Sequence, residues 1–445
     1  MSEKNRPNIV LILTDQQSAT MMHCAGNQYL RTPTLDAIAD CGVRFERAYC
    51  TNPVCIPSRF SLMTGRMPSA IGMRRNEDTS TLDPIPESIK KEGLGYLVRK
   101  AGYEAVYAGK QHLPRMKAED LGFICLDTDE RDHLAETTAE YVREARDKPF
   151  LLVASFINPH DICYMAIRDF AKTEQEKKLI ARGVTEVATL DKALKIPAGI
   201  SREDFFANHC PPVPANFEPQ ENEPEAIRLF LANRPFKEKA RAHYTEEQWR
   251  MHRWAYLRLT EFVDAQIGKL WRAICESPTA ENTVVIFTSD HGDMDSAHRM
   301  EHKTAFYDEA SRIPLIIARP TEKGRGRVND THLVSNGLDL VPFICDLAEA
   351  KVPADLAGRS VRPLMQQSAP TEWRTFLPLE SEIGYMVMDN RYKYMRFDKG
   401  KHNEQLIDLQ LDNGEMRNAI ADSIHQEALE ELKRQFAETF IPGKV

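Results

Sequence analysis

The chain has 445 residues, of which 42% are hydrophobic and 28% are charged, and its formal net charge is −8. This length predicts more than one domain, the acidic balance argues against nucleic acid as the main partner, and no apolar run is long enough to imply a membrane partner. Nine cysteines, an odd number without close-paired spacing, and a start without a signal peptide favour reduced thiols in the cytoplasm, or an exported or periplasmic protein if a leader has been removed.

Apolar runs alternate with helical patterns over most of the chain, which predicts an α/β fold. The expected strands are residues 8–13, 103–107, 150–156, 283–288 and 313–318, and the expected helices are residues 34–41, 94–102, 133–146, 244–274 and 338–348. The first helix should be capped at Thr34, and residues 244–274 form one long helix or two. Because the strands are continuous apolar runs, we expect a large sheet covered by helices on both faces.

Two segments depart from this alternation. Residues at about 165–250 are rich in charge and contain a proline cluster at 211–214, which indicates an inserted segment of helices and loops. From residue 356 onward, short strands at 384–388, 392–397 and 405–408 precede an amphipathic helix at 424–440. We therefore predict a large domain at 1–355 and a smaller α+β subdomain at 356–445.

The stretch from Asn52 to Arg66 carries the strongest signal for chemistry. Pro57 suits the first turn of a helix, and Gly65 can take the left-handed conformation that ends one. Cys55 should then lie just ahead of a helix N-terminus, where free N–H groups and the helix dipole favour an anion. Arg59 follows one turn later, so its guanidinium could fold back toward the Cys55 side chain. A sulfur nucleophile in this position is a candidate catalytic residue.

Polar side chains follow four of the predicted strands. They are Asp15, then Lys110 and His112, then His160, and finally Asp290 and His291. Ligands of open α/β sheets collect at the carboxyl ends of the strands, so we expect these groups to share one site.

The same strand ends predict a metal site. Asp15 and Asp290 supply carboxylate oxygens, Gln16 could add a neutral oxygen, and His291 adds an imidazole nitrogen. A set made mostly of oxygens favours Ca²⁺, and the imidazole leaves Mn²⁺, Mg²⁺ or Zn²⁺ open.

The residues between Asn52 and Arg66 are similar to a known sequence signature. Cys-x-Pro-Ser-Arg followed by Leu-x-Thr-Gly-Arg resembles the maturation signature of type I sulfatases, which belong to the alkaline phosphatase superfamily. Further matches to that family are Asp15, Gly109–His112, Pro159–His160, Asp290–His291, His298, Lys303, Arg312–Ile316 and Glu404–Leu409. The resemblance implies an alkaline-phosphatase-like mixed sheet sandwiched between helices, with residues 1–355 as the catalytic domain and a smaller C-terminal α+β subdomain.

The resemblance also implies a reaction and its cofactors. Cys55 would be oxidised to Cα-formylglycine by a separate maturing enzyme, and its oxygen would join the divalent metal. The hydrated aldehyde has two hydroxyls, one to attack the sulfur of a sulfate monoester and one whose deprotonation expels sulfate. The substrate would be a sulfated small molecule or carbohydrate.

Individual roles follow from the matched positions. Lys110, Lys303 and Arg59 would stabilise charge on the sulfate oxygens and hold the nucleophile. Lys303 or His160 would protonate the leaving oxygen, and His112 would deprotonate the second hydroxyl. Substrate contacts are expected from Asn76, Lys110, His160, His298 and Lys303.

Two alternatives remain at this stage. Gln16 and His291 stand where many sulfatases have aspartate and asparagine, and Asp-Gln and Asp-His resemble choline sulfatases and phosphonate monoester hydrolases. The same apparatus could therefore cleave phosphonate monoesters or phosphodiesters. A non-catalytic anion-binding protein would instead keep Cys55 as a free thiol and bind sulfate without turnover.

Overall fold

A computed structural model describes residues 6–76, 82–366 and 372–440. Its helices are α1 Pro33–Asp40, α2 Cys55–Thr64, α3 Glu87–Lys91, α4 Leu94–Lys100, α5 Leu134–Arg143, α6 Tyr164–Phe170, α7 Glu174–Arg182, α8 Val184–Ala193, α9 Arg202–Asp204, α10 Glu225–Ala232, α11 Pro235–His243, α12 Glu246–Glu276, α13 Asp308–Ser311, α14 Asn336–Ala348 and α15 Gln426–Thr439. Its strands are β1 Asn8–Asp15, β2 Gly42–Phe45, β3 Ala48–Tyr49, β4 Glu104–Gly109, β5 Ile124–Asp127, β6 Phe150–Pro159, β7 Thr283–Ser289, β8 Leu315–Ala318, β9 Arg327–Asn329, β10 Val334–Ser335, β11 Leu377–Ser381, β12 Gly384–Met388, β13 Tyr392–Phe397 and β14 Glu404–Asp408. Among these helices, none combines the length and the apolar character needed to cross a bilayer.

A mixed sheet of eight strands forms the centre of the molecule. Its order is β5-β4-β6-β1-β7-β8-β2-β9, and the four neighbours β4, β6, β1 and β7 run parallel. Side chains of β1 alternate between two cores: Leu11 packs on the face covered by α2, α4 and α14, whereas Val10 packs on the face covered by α1, α5 and α12. This confirms the expected sheet between helices and explains why its central strand is apolar at successive positions.

The helix starts differ slightly from the predicted ones. Helix α1 begins at Pro33 with Thr32 at the N-cap, two residues earlier than the predicted cap at Thr34. Helix α2 begins at Cys55 itself, so Pro57 is its third residue, and Gly65 ends it with a φ of 71°. The first N–H groups of a helix have no intrahelical partner, so a proline is tolerated throughout this first turn. The predicted helix at 244–274 is one helix, α12.

The segment that the sequence predicts to be inserted forms helices α6 to α11, a short π-helix and loops, and its status as an insertion stays a prediction. The C-terminal region contains a four-stranded antiparallel sheet, β11-β12-β13-β14, of which the sequence indicated three strands but not β11. The domain boundary near residue 355 stays a prediction.

Strand β11 contacts two segments that lead into the site. The Glu380 N–H donates to the carbonyl of Thr51 at 2.8 Å, and the Ser381 hydroxyl donates to the carbonyl of Thr304 at 2.6 Å. The Thr304 N–H in turn donates to the carbonyl of Pro53 at 3.0 Å. The C-terminal sheet thereby ties the chain just before Cys55 to the chain just after Lys303.

The Glu380 carboxyl predicts a pH-dependent stability. Burial raises its pKa from 4.5 to about 7, although the Ser69 hydroxyl and N–H donate to it. The folded state therefore holds this proton more tightly than the unfolded state, so the associated stability is present below pH 4.5 and is lost as the pH rises through about 7. We expect the unfolding free energy of the parent to decline by up to about 3 kcal/mol as the pH rises over this range, at 1.36 kcal/mol per pKa unit. Glu380→Gln should lack this decline.

Denaturant unfolding of both proteins at pH values from 5 to 8 measures this difference. Glutamine can accept from the Ser69 N–H and donate to its hydroxyl, so the variant keeps both contacts. Parallel stability curves for the two proteins would show that Glu380 is ionised in the folded state at all of these pH values.

Candidate active site

Apart from His112, which is exposed, the groups that follow the four parallel strands lie together. The Lys110 ammonium is 2.7 Å from Asp15 Oδ2, so residues that follow β4 and β1 meet at the sheet edge although β6 lies between these two strands. Burial alone would raise the pKa of Asp15, but Lys110, His160 and Arg59 outweigh it, and this pKa lies well below its ordinary value. The site is therefore built around an ionised, fully buried carboxylate.

Four residues form a candidate metal centre. The donor atoms of Asp15, Cys55, Asp290 and His291 all lie within 4.8 Å of one another, and all four side chains are fully buried. Cys55 Sγ is 3.1 Å from His291 Nε2, whose Nδ1 bonds the Gly292 carbonyl at 2.9 Å. Two carboxylates, an imidazole and the atom presented by residue 55 fit a divalent cation.

Gln16, the fifth predicted ligand, lies beside this cluster with its amide engaged elsewhere. The amide oxygen accepts from the Lys303 ammonium at 2.6 Å and from the Cys163 thiol at 2.9 Å. The amide nitrogen donates to Asp293 Oδ2 at 2.6 Å. Gln16 adopts a φ of 68°, a left-handed conformation that turns the chain immediately after β1. In this arrangement the amide holds Lys303 in place.

Arg59 contacts the predicted metal ligands rather than Cys55. Its Nε donates to Asp290 Oδ2 at 2.8 Å and its Nη2 donates to Asp15 Oδ2 at 2.9 Å. Nη1 donates to the Lys110 carbonyl and to the Ser155 hydroxyl. A buried guanidinium needs anionic partners, and here two carboxylates accept hydrogen bonds from it. Arg59 therefore orients the carboxylates instead of folding back onto the nucleophile.

Residue 55 lies in an environment that stabilises negative charge. Burial and Asp15 would each raise the pKa of the Cys55 thiol, but Lys303, His291 and Lys110 outweigh them and hold it well below its ordinary value. The Lys303 ammonium is 3.3 Å from Cys55 Sγ, and Cys55 is the first residue of α2. Cys55 therefore lies at a helix N-terminus, as the first residue of the helix and not just ahead of it.

The remaining predicted residues fall into two groups. Asn76 and His160 line the cavity next to the site, and the Asn76 side chain accepts from the Ile56 N–H at 2.8 Å. His298 does not line this cavity: its ring is fully buried and stacks on Tyr307 at a centroid distance of 3.8 Å. His112 is exposed, and none of the described hydrogen bonds connects its side chain to the site.

Sequence reasoning missed two residues at the site. His302 lines the cavity that His298 was expected to line, and Lys237 reaches the same cavity from α11 in the inserted segment. His302 adopts a φ of 70°, an irregular backbone that no helical or strand periodicity reveals. Lys237 stands in an ordinary helical pattern, so nothing in the sequence separates it from a surface lysine.

Replacing Lys303 by alanine is expected to slow the reaction about a hundredfold or more. Loss of one preorganised charged contact in a buried site typically costs roughly 3 kcal/mol of transition-state stabilisation. Steady-state rates, the thermal midpoint and metal content should be compared with the parent and with Lys303→Met, which preserves more of the volume. Activity within twofold of the parent in either variant would remove Lys303 from the catalytic group.

Comparison with known proteins identifies a matching family and several relatives of this chain. Residues 7–350 match the sulfatase family, and residues 296–440 match the C-terminal region of N-sulphoglucosamine sulphohydrolase. The chain is 28% identical to a Delta 4,5-hexuronate-2-O-sulfatase of Bacteroides thetaiotaomicron, with 96% of this chain and 87% of that protein aligned. It is 26% identical to an arylsulfatase of Clostridium perfringens, with 96% and 93% aligned.

Solved structures also include sulfatases that are similar to this chain. A 2-O GAG sulfatase superposes with a TM-score of 0.81 and 28% identity, covering 99% of this chain and 92% of that one. A phosphonate monoester hydrolase of Agrobacterium radiobacter superposes with a TM-score of 0.71 and 21% identity, covering 97% and 96%, which shows a shared fold. The sulfatase match spans most of the chain and includes every strand end that forms the site, and the chain therefore belongs to the sulfatase family of sulfuric ester hydrolases.

Proposed function

We propose that this protein hydrolyses a sulfate monoester on a carbohydrate. The observation that carries the proposal is the position of Lys303, which lies 3.3 Å from Cys55 Sγ and also lines a cavity of about 380 Å³. Lys303 therefore contacts the candidate reacting residue and also faces a cavity of the size that binds small molecules. The similarity to a hexuronate sulfatase and to a 2-O GAG sulfatase supports a sugar as the alcohol.

The proposed cofactors are a formylglycine made from Cys55 by a maturing enzyme and a divalent metal, most simply Ca²⁺. Asp15, Asp290 and His291, together with the oxygen of the converted residue, would hold the ion. When bound, such an ion lowers the pKa of a coordinated hydroxyl and offsets charge on the sulfate oxygens.

The remaining catalytic roles belong to side chains of the protein. Lys110 and Lys303 both lower the pKa of the thiol at position 55, so they are the cations that would offset charge developing on the sulfate. Arg59 keeps the two carboxylates in place through its hydrogen bonds. Lys303 lines the cavity and contacts residue 55, so geometry favours it over His160 as the donor of a proton to the leaving oxygen. The role of His112 as a base stays a prediction.

A substrate screen tests this proposal. Protein produced together with a maturing enzyme should be assayed on sulfated mono- and disaccharides, choline sulfate, an aryl sulfate and an aryl phosphonate ester. We expect the highest kcat/KM on a sulfated saccharide. Preference for the aryl phosphonate would favour the phosphonate monoester or phosphodiester hydrolase reading, and sulfate binding without turnover by aldehyde-bearing protein would contradict an enzymatic role.

A further inference from the structure

The cavity beside the site is shared between the catalytic residues and the inserted segment. Lys303 and His160 line it from the catalytic side, and Phe230, Phe236 and Lys237 line it from α10 and α11. The phenylalanines provide apolar surface suited to the faces of a sugar ring. A molecule whose sulfate meets Lys303 would therefore extend toward α11.

Lys237 is an unusual residue in this lining. Only 7% of its surface is exposed, and within the described ranges its ammonium has no hydrogen bond or ion pair to a carboxylate. Its one described contact is the Phe230 ring, whose centroid is 4.2 Å away. A buried ammonium without an anionic partner is costly to maintain, so a functional reason for it is expected.

The charges around Lys237 support this reading. The pKa of Lys237 is lowered to about 8, chiefly by burial and also by Lys303 and Arg234, whereas Glu382, which lines the same cavity, and Cys163 act in the opposite direction. Glu176 also lines the cavity, but its Oε2 accepts from the N–H groups of Lys172 and Thr173 in the N-terminal capping box of α7. The neighbouring acids thus leave the Lys237 charge incompletely balanced.

We propose that Lys237 binds a second anionic group on the sugar that carries the scissile sulfate, and so selects acidic sugars over neutral ones. This inference rests on the proposed function and narrows its substrate class. One ammonium matches one singly charged group, so a hexuronate carboxylate suits it, and a second sulfate ester presents the same anionic chemistry. The cation–π contact with Phe230 would hold the ammonium in place before the sugar arrives.

Lys237→Met tests the inference, and Lys239→Met is its matched control. Lys239 is on the same helix but does not line the cavity, and its ammonium lies 3.5 Å from His243 Nε2. Four probes separate the sources of the anion: a hexuronate 2-sulfate disaccharide, its carboxyl-reduced counterpart, glucosamine 6-sulfate and glucosamine 2-N,6-O-disulfate. Each is assayed for turnover, and each is titrated by calorimetry into protein that keeps the unmodified Cys55.

We expect the parent and Lys239→Met to favour the probe with a second anionic group over its partner without that group, in one of the two pairs, by on the order of ten- to hundredfold, chiefly in KM and Kd. In Lys237→Met this ratio should fall to within about twofold. Preference within the uronate pair identifies a carboxylate, and preference within the glucosamine pair identifies a second sulfate. An unchanged ratio in Lys237→Met, equal losses on all four probes, or no preference in the parent would overturn the inference. Selective binding without turnover by aldehyde-bearing parent would instead overturn the proposed function.

Discussion

Cys55→Ser is expected to keep the fold and the metal but to lose multiple turnover. The variant retains one oxygen at the start of α2, next to Lys303 and His291, so it could still accept a sulfuryl group. A serine ester has no second hydroxyl on the same carbon, so release of sulfate would stop after the first event. Parent protein produced with a maturing enzyme should carry an aldehyde at position 55, and its activity should be proportional to the aldehyde content.

Hydrazide labelling, peptide mass analysis and pre-steady-state kinetics measure these quantities. Cys275→Ser is a suitable control, because Cys275 is an exposed free cysteine. This control should label and turn over like the parent. Full turnover by Cys55→Ser, or by protein that carries only unmodified cysteine, would refute the mechanism and reopen the choice of nucleophile.

Asp290→Ala is expected to abolish both activity and stoichiometric metal. Asp290 is one of the four clustered donors, and its Oδ2 also accepts from Arg59 at 2.8 Å. Removing this carboxylate deprives the metal of an anionic ligand and leaves Arg59 with Asp15 as its remaining carboxylate partner. Breaking a buried ion pair from one side is strongly destabilising, so Asp290→Asn, which preserves the shape, should be measured alongside.

Metal content by plasma mass spectrometry and rates under saturating Ca²⁺ provide the measurements. Asp295→Asn is the matched control, since Asp295 is also buried and close in sequence but bonds Arg253 and lies outside the cluster. That variant should retain stoichiometric metal. Unchanged metal content in folded Asp290→Asn and Asp290→Ala would show that Asp290 is not a ligand.

The local elements of the site could be predicted because their causes are local. A continuous apolar run predicts a buried strand, and the polar residue that follows it lies at the sheet edge, as with Asp15 and Asp290. The Cys55–Thr64 helix and its stop at Gly65 follow from a proline in the first turn and a glycine with a φ of 71°. Family resemblance then supplied a reaction that these patterns alone do not specify.

Contacts between distant parts of the chain could not be predicted in the same way. Arg59 and Asp290 are 231 residues apart in sequence, and no periodicity tells which anion a buried guanidinium will meet. His302 lines the cavity and His298 does not, and both residues have positive φ values. Such backbone conformations redirect side chains without changing any sequence pattern. The β11 strand was missed because its burial comes from contact with the catalytic segments rather than from an alternating pattern of its own.

The sequence by itself indicated most of the main strands and helices and the residues at the strand ends, because hydrophobic periodicity and turn chemistry act over a few residues. Cys55 became the candidate nucleophile through its place before a helix and through the family resemblance. Only the tertiary structure decided which carboxylates Arg59 binds, where the Gln16 amide points, and that Lys237 faces the cavity with no described ion pair to a carboxylate. Such pairings are decided by burial, because the energy of a charge depends on which groups surround it after the chain has folded.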